Sequence, residues 1–208
     1  SALQREVTDD MDSLSALSRR VSRWGLWFGG ALVLLAAIVI GIDVLMRKFL
    51  AASIGGADEL AGYALAIGTA WGLGAALLDR AHIRIDSLYV HFAPALRVAL
   101  DLAGLALFLA FFGLVAWHGL GVAGQSWTAG SRSQSALETP TVIPQVLWLA
   151  GLAVFLATGA LLFVQALAAA ASGRAAEAVK LVGTRSAEEE VEEEIRDIQE
   201  RAAREAGR

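Results

Sequence analysis

Four stretches of this chain run for the length of a membrane crossing without one charged side chain. Trp24 to Ile42 and Leu60 to Leu78 cover 19 residues each, Leu102 to Ser131 covers 30, and Thr139 to Gly173 covers 35. A helix rises about 1.5 Å per residue, so about 20 apolar residues cross a hydrocarbon layer of about 30 Å. In the third run only the part up to His118 is continuously apolar. These segments are apolar all round, whereas a helix on a soluble protein keeps a polar face. The sequence therefore predicts an all-α integral membrane protein with four transmembrane helices. They are placed at about 24–46, 59–78, 98–118 and 142–171.

Composition agrees once it is divided along the chain. Charged residues make up 18% of the whole, below the level of about 25% usual for soluble domains. Residues 1–23 hold four acidic and four basic side chains, and residues 172–208 hold ten acidic and seven basic. That leaves seven acidic and six basic for the 148 residues between them. The middle is membrane-like and the extremes are polar. A net charge of −4 excludes the basic footprint of a nucleic-acid binder, so no nucleic acid is expected as a partner.

Lys and Arg near helix ends set orientation, because they are retained on the cytoplasmic side. Arg5, Arg19, Arg20, Arg23, Arg80, Arg84, Arg97, Arg174, Lys180 and Arg185 fall on one side, and Arg47, Lys48 and Arg132 on the other. Both termini are expected in the cytoplasm. The first run follows a polar segment and is longer than a signal-peptide core, so it reads as a retained span. Within 1–23, Val7, Met11, Leu14 and Val21 keep helical spacing, which predicts an amphipathic, surface-lying segment leading into the first span. In the tail, Val191, Ile195, Ile198 and Ala202 keep the same spacing. The pairs Glu192–Arg196, Asp197–Arg201 and Glu200–Arg204 run acidic to basic at i,i+4, the favourable order on a helix. A charged helix over 186–206 is predicted, either simply solvated or docking a partner.

Groups for chemistry are few. The chain has no cysteine, which excludes disulfides and thiolate metal sites. His82 and His91 fall between the second and third spans and His118 at the far end of the third. A membrane haem needs two ligands facing each other at one level, so these histidines fit it poorly. No phosphate-binding, dinucleotide-binding or His-Glu-x-x-His pattern occurs, and no enzyme activity is expected.

Ionisable groups within membrane segments are functional candidates by default. Asp43 precedes Arg47 by one turn, and Arg97 precedes Asp101 by one turn, so each reads as an i,i+4 pair at an interface. Glu59 opens the second span beside Asp58, where acidic groups complement the helix dipole, after a Gly55-Gly56 turn. None of these lies near a bilayer midplane, where a carrier's ion or proton site is expected. What the chain offers instead is packing surface. Ala64, Gly68, Gly72 and Ala76 form a small-residue stripe at spacing four, and Gly25 and Gly29 begin another. Such stripes admit close helix approach, either within the four-helix unit or against another subunit. Trp71 lies mid-helix, away from the interfacial aromatic belt, and reads as filling a groove.

The stretch Arg80-Ala81-His82-Ile83-Arg84-Ile85-Asp86-Ser87-Leu88, with Pro94 and Arg97, carries a resemblance. Upstream stand Asp58-Glu59, Trp71 and Gly74-Ala75; downstream stand Ser135, Thr139 and Ile143-Pro144. Over about 24–170 the chain resembles the small membrane subunit, the DctQ family, of tripartite ATP-independent periplasmic (TRAP) transporters. The stretch from Glu59 to Arg97 is the most specific part, and the tail after 173 lies outside it.

The resemblance implies a scaffold subunit in a bacterial inner membrane. Its implied partners are a large multi-span subunit that binds substrate and ions, a periplasmic solute-binding protein that delivers an organic acid, and the bilayer itself. It implies no cofactor in this chain, with any sodium coupling in the large subunit. Arg80, His82, Arg84 and Asp86 would brace the cytoplasmic face, while the loops at 49–57 and 119–141 would face the periplasm. Two other classes stay open at this point: a membrane redox (haem) anchor, and a small homodimeric exporter. Candidate interface or structural residues are Asp43, Arg47, Glu59, Ala64, Gly68, Trp71, Gly72, Ala76, Arg80, His82, Arg84 and Asp86.

Overall fold

A computed structural model describes residues 2–80, 92–174, 179, 181–182, 195–196, 198–199 and 202. Its four long helices are α1 (Ala2–Leu50), α2 (Ala57–Leu78), α3 (Pro94–Thr128) and α4 (Val142–Ala171). Each contains a stretch long and apolar enough to cross a membrane. Among the described residues the only β-type pairing is an isolated antiparallel bridge between Arg132 and Pro140.

Two boundaries differ from the sequence expectation. The entry segment over 1–23 does not lie apart from the first span: α1 is one helix of 49 residues, about 74 Å long at 1.5 Å per residue. No Gly or Pro interrupts residues 2–24. The segment is also held in the bundle, since Ser18 Oγ lies 2.9 Å from Thr158 Oγ1 of α4. The third helix, expected over 98–118, runs from Pro94 to Thr128. Its last part contains Gly, Ser, Gln and Thr, which lower hydropathy without ending a helix. Pro94 occupies the first turn, where a missing amide costs no helical bond. Of the tail helix expected over 186–206, only residues 195, 196, 198, 199 and 202 are described, and they are helical.

Helix α1 packs on α2 and α4, α2 packs on α4, and α4 packs on α3. The core lies between α2, α3 and α4. Leu77, Leu105, Leu152 and Phe155 are buried there, and Phe155 is wholly enclosed at 0% exposure. Its ring meets Phe112 at 5.0 Å and Phe108 at 5.5 Å between centroids, both edge to face, the arrangement that the ring quadrupole favours. A second cluster, Val98 with Ala169, joins Leu102, Ala170 and Val179 at the other end of the α3–α4 pair. Outward faces are broadly apolar: Leu34, Leu107, Phe111 and Leu114 are all exposed. A soluble domain does not tolerate that much apolar surface; hydrocarbon does.

Candidate functional site

The α1–α2 contact is built from missing side chains. A Cβ on Gly29 would lie 2.6 Å from the Gly68 carbonyl oxygen, and one on Gly68 would lie 2.9 Å from the Gly29 oxygen. Backbone meets backbone at this crossing, so only glycine fits on either side. Lipid tails are as apolar as the helices, so association here relies on close van der Waals packing. One turn away, a Cβ on Gly25 would lie 2.9 Å from the Trp71 carbonyl oxygen. Ala64 is buried on the same stripe, and Ala76 is half-buried. Gly72 is not part of the tight contact: a Cβ there would find only Leu26 Cδ1, at 3.9 Å. The stripe therefore narrows to Gly68 as its critical member.

Trp71 fills a groove between three helices. Its ring meets Phe28 of α1 edge to face, with centroids 5.5 Å apart. Its Nε1–H donates to the Leu147 carbonyl oxygen of α4 at 2.9 Å. On α4, a Cβ at Gly151 would lie 2.6 Å from Trp71 Cδ1, so the indole packs directly on the α4 backbone. A hydroxyl trio missed by the sequence reading, Ser18 and Ser22 of α1 with Thr158 of α4, joins those two helices beside Gly74 of α2. Ser22 is 1% and Thr158 2% exposed, and their oxygens lie 3.4 Å apart. Serine and threonine at positions 18, 22 and 158 share no local pattern, so only the fold brings them together.

At the α1 C-terminal end two carboxylates organise the loops. The Asp43 side chain is 3% exposed and forms an ion pair with Arg47 at 2.6 Å. Its Oδ1 also accepts from Ser53 Oγ at 2.9 Å and from the Ile54 amide at 2.7 Å. The pair expected from i,i+4 spacing is present, and the same carboxylate holds the α1–α2 linker. That linker turns through Gly55 and Gly56, with φ of 67° and 92°, a region costly for residues that carry a Cβ.

Glu59 does more than complement the α2 dipole. Its Oε2 accepts a hydrogen bond from Ser135 Oγ in the α3–α4 loop. The loop is itself ordered around Ser133 and Ser135: the Thr139 amide donates to Ser133 Oγ at 3.0 Å and the Leu137 amide to Ser135 Oγ at 3.1 Å. Backbone bonds from Ser133 to Thr139 and from Thr141 to Ser131 close it.

At the opposite end, Arg80 follows α2 in a left-handed conformation, φ 53°. His82, Arg84 and Asp86 lie outside the described residues. Arg97 Nε donates to the Phe92 carbonyl oxygen at 2.9 Å, and Asp101 is fully buried. Among the described residues no three His, Cys, Asp or Glu side chains cluster closely enough to hold a metal ion. The described contacts join helices to each other and to their loops. They provide rigid packing and anchored loops.

Neither comparison, with curated proteins or with solved structures, gave a match. The family model described as the DctQ component of tripartite ATP-independent periplasmic transporters matches residues 36–170, and that stretch takes in the Asp43 linker contacts, the Glu59–Ser135 bond and most of the four-helix unit. The chain therefore belongs to the DctQ family and is the small membrane subunit of a TRAP transporter.

Proposed function

We propose that this chain is the stationary scaffold of its transporter. It lies in a bacterial inner membrane with both termini in the cytoplasm, and holds a large ion-coupled subunit while that subunit moves organic acids delivered by a periplasmic solute-binding protein. The observation that carries this reading is the placement of ionisable groups. Asp43 and Glu59 are engaged with loops at one end of the bundle. The charge-free runs 24–42 and 60–78 lie between them and the polar groups of the other end. A substrate or cation path needs polar groups at mid-depth, whereas a support needs packing surface and fixed loops. The excess of Lys and Arg on the side of the N-terminus, Arg80 and Arg174 supports the orientation. On this reading the Asp43 and Glu59 loops face the solute-binding protein.

Reconstitution tests the assignment of roles. Liposomes holding this chain alone should show no uptake of any organic acid with the binding protein and an ion gradient supplied. Adding the large subunit should restore uptake. Transport by the chain alone would contradict the scaffold reading and support a self-sufficient carrier.

A further inference from the structure

Beside the first half of α1 lies an open cavity of about 760 Å³, bordered among the described residues by Ala16, Arg19, Arg20, Arg23, Trp24 and Trp27. The scaffold reading makes no use of it. Arg19 donates to Ser15 Oγ at 3.0 Å. Trp24 and Trp27 are 72% and 73% exposed, far more than Trp71, which is built into the bundle. Arg19 and Arg23 also line a neighbouring groove with Asp79, but among the described residues none of the three arginines has a carboxylate at ion-pair distance, and three such cations at the rim of a cavity suit an anionic ligand.

The order of side chains along the helix names its class. Arg20, Trp24 and Trp27 share one face at spacings of four and three, and the same face continues into Ala31 and Leu34. At 1.5 Å per residue, Arg20 to Trp27 covers about 10 Å and Trp27 to Leu34 about 10 Å more. Leu34 and Leu35 are exposed there. The sequence cation, amphipathic ring, aliphatic chain follows the sequence phosphate, glycerol ester, acyl chain of a phospholipid. Arginine is suited to phosphate through its planar fork of donors, and indole prefers the ester region of a bilayer. A protein partner would have to meet the arginines with carboxylates and the indoles with apolar groups, and nothing on α1 favours that combination over a lipid.

We infer that this cavity is a binding site for an anionic phospholipid of the bilayer, with its phosphate at Arg20 and Arg23, its ester region at Trp24 and Trp27, and an acyl chain along Leu34. Such a lipid would fix the depth and rotation of α1, whose other face meets α2 through Gly29.

Brominated lipids quench tryptophan on contact and supply the test. The full chain is placed in lipid nanodiscs with an equal minor fraction of brominated phosphatidylglycerol or brominated phosphatidylcholine. The signal from Trp24 and Trp27 is taken as the difference from a Trp24→Phe/Trp27→Phe variant. The expected result is a preference for phosphatidylglycerol of about fivefold or more, the factor that one arginine near a charged bilayer surface supplies. Arg23→Gln should remove most of it. Arg174→Gln, an exposed arginine beyond α4, changes net charge equally and should leave it intact. Equal quenching of the wild-type chain by the two lipids would overturn the proposal, and would be the outcome if a protein partner fills the cavity. Equal loss of preference in both arginine variants would also overturn it, since that means diffuse surface charge. The wild-type comparison stands even if a variant misfolds.

Discussion

Gly29 of α1 and Gly68 of α2 are in backbone contact, and neither has room for a methyl group. In Gly68→Ala the new Cβ would meet the Gly29 carbonyl oxygen and Val33 Cγ2, each at 2.9 Å. Overpacking of this kind costs about 1–3 kcal/mol. Gly72→Ala meets nothing closer than Leu26 Cδ1 at 3.9 Å and should change stability by less than about 0.5 kcal/mol. Thermal unfolding of both variants in one detergent measures the difference. Equal behaviour would mean that the α1–α2 crossing is not where the structure has it.

Trp71 supplies a second separable effect. Trp71→Phe keeps an aromatic ring against Phe28 but deletes the bond to Leu147, at an expected cost of about 1 kcal/mol. Trp71→Ala also leaves a cavity between α1, α2 and α4, and should cost about 3–5 kcal/mol. The midpoint shifts of the two variants should differ accordingly.

Asp43 acts through the Ile54 amide. Asp43→Ala should accelerate hydrogen exchange at that amide by one order of magnitude or more, because about 1.5–3 kcal/mol is typical of a hydrogen bond to a charged group. Asp43→Asn keeps an acceptor while losing the ion pair with Arg47, which is 53% exposed and contributes little on its own. It should therefore retain most of the protection. Exchange read by mass spectrometry on the peptide containing Ile54 separates the two.

Glu59 and Ser135 should be coupled although 76 residues separate them. In a double-mutant cycle, Glu59→Gln and Ser135→Ala should each lower stability, and the double variant should lose less than their sum. The expected coupling is about 1–2 kcal/mol. Additive losses would mean that the loop is held by its own Ser133 and Thr139 contacts.

The spans were legible because hydrocarbon thickness demands long apolar runs, a constraint that the chain meets four times. The end of α3 was not. Gly124-Gln125-Ser126 reads as a loop by hydropathy, yet backbone hydrogen bonds satisfied within a helix tolerate polar side chains at a membrane surface. The small-residue stripe on α2 and the outlying position of Trp71 were visible as patterns at helical spacing. Which glycine mattered was not, because crowding at Gly68 rather than Gly72 depends on where α1 crosses. Asp43 with Arg47 was readable as a local pair. Its bonds to the linker, the Glu59–Ser135 bond and the Ser18–Ser22–Thr158 trio join distant parts of the chain, and no periodicity encodes them.

The scaffold claim is tested most directly by co-purification. The chain, tagged and expressed with the large-subunit gene of the same transporter, is solubilised in mild detergent and passed over a sizing column. The account predicts that the two polypeptides elute together as one stable species. Recovery of this chain as a folded species that never retains the large subunit would contradict it.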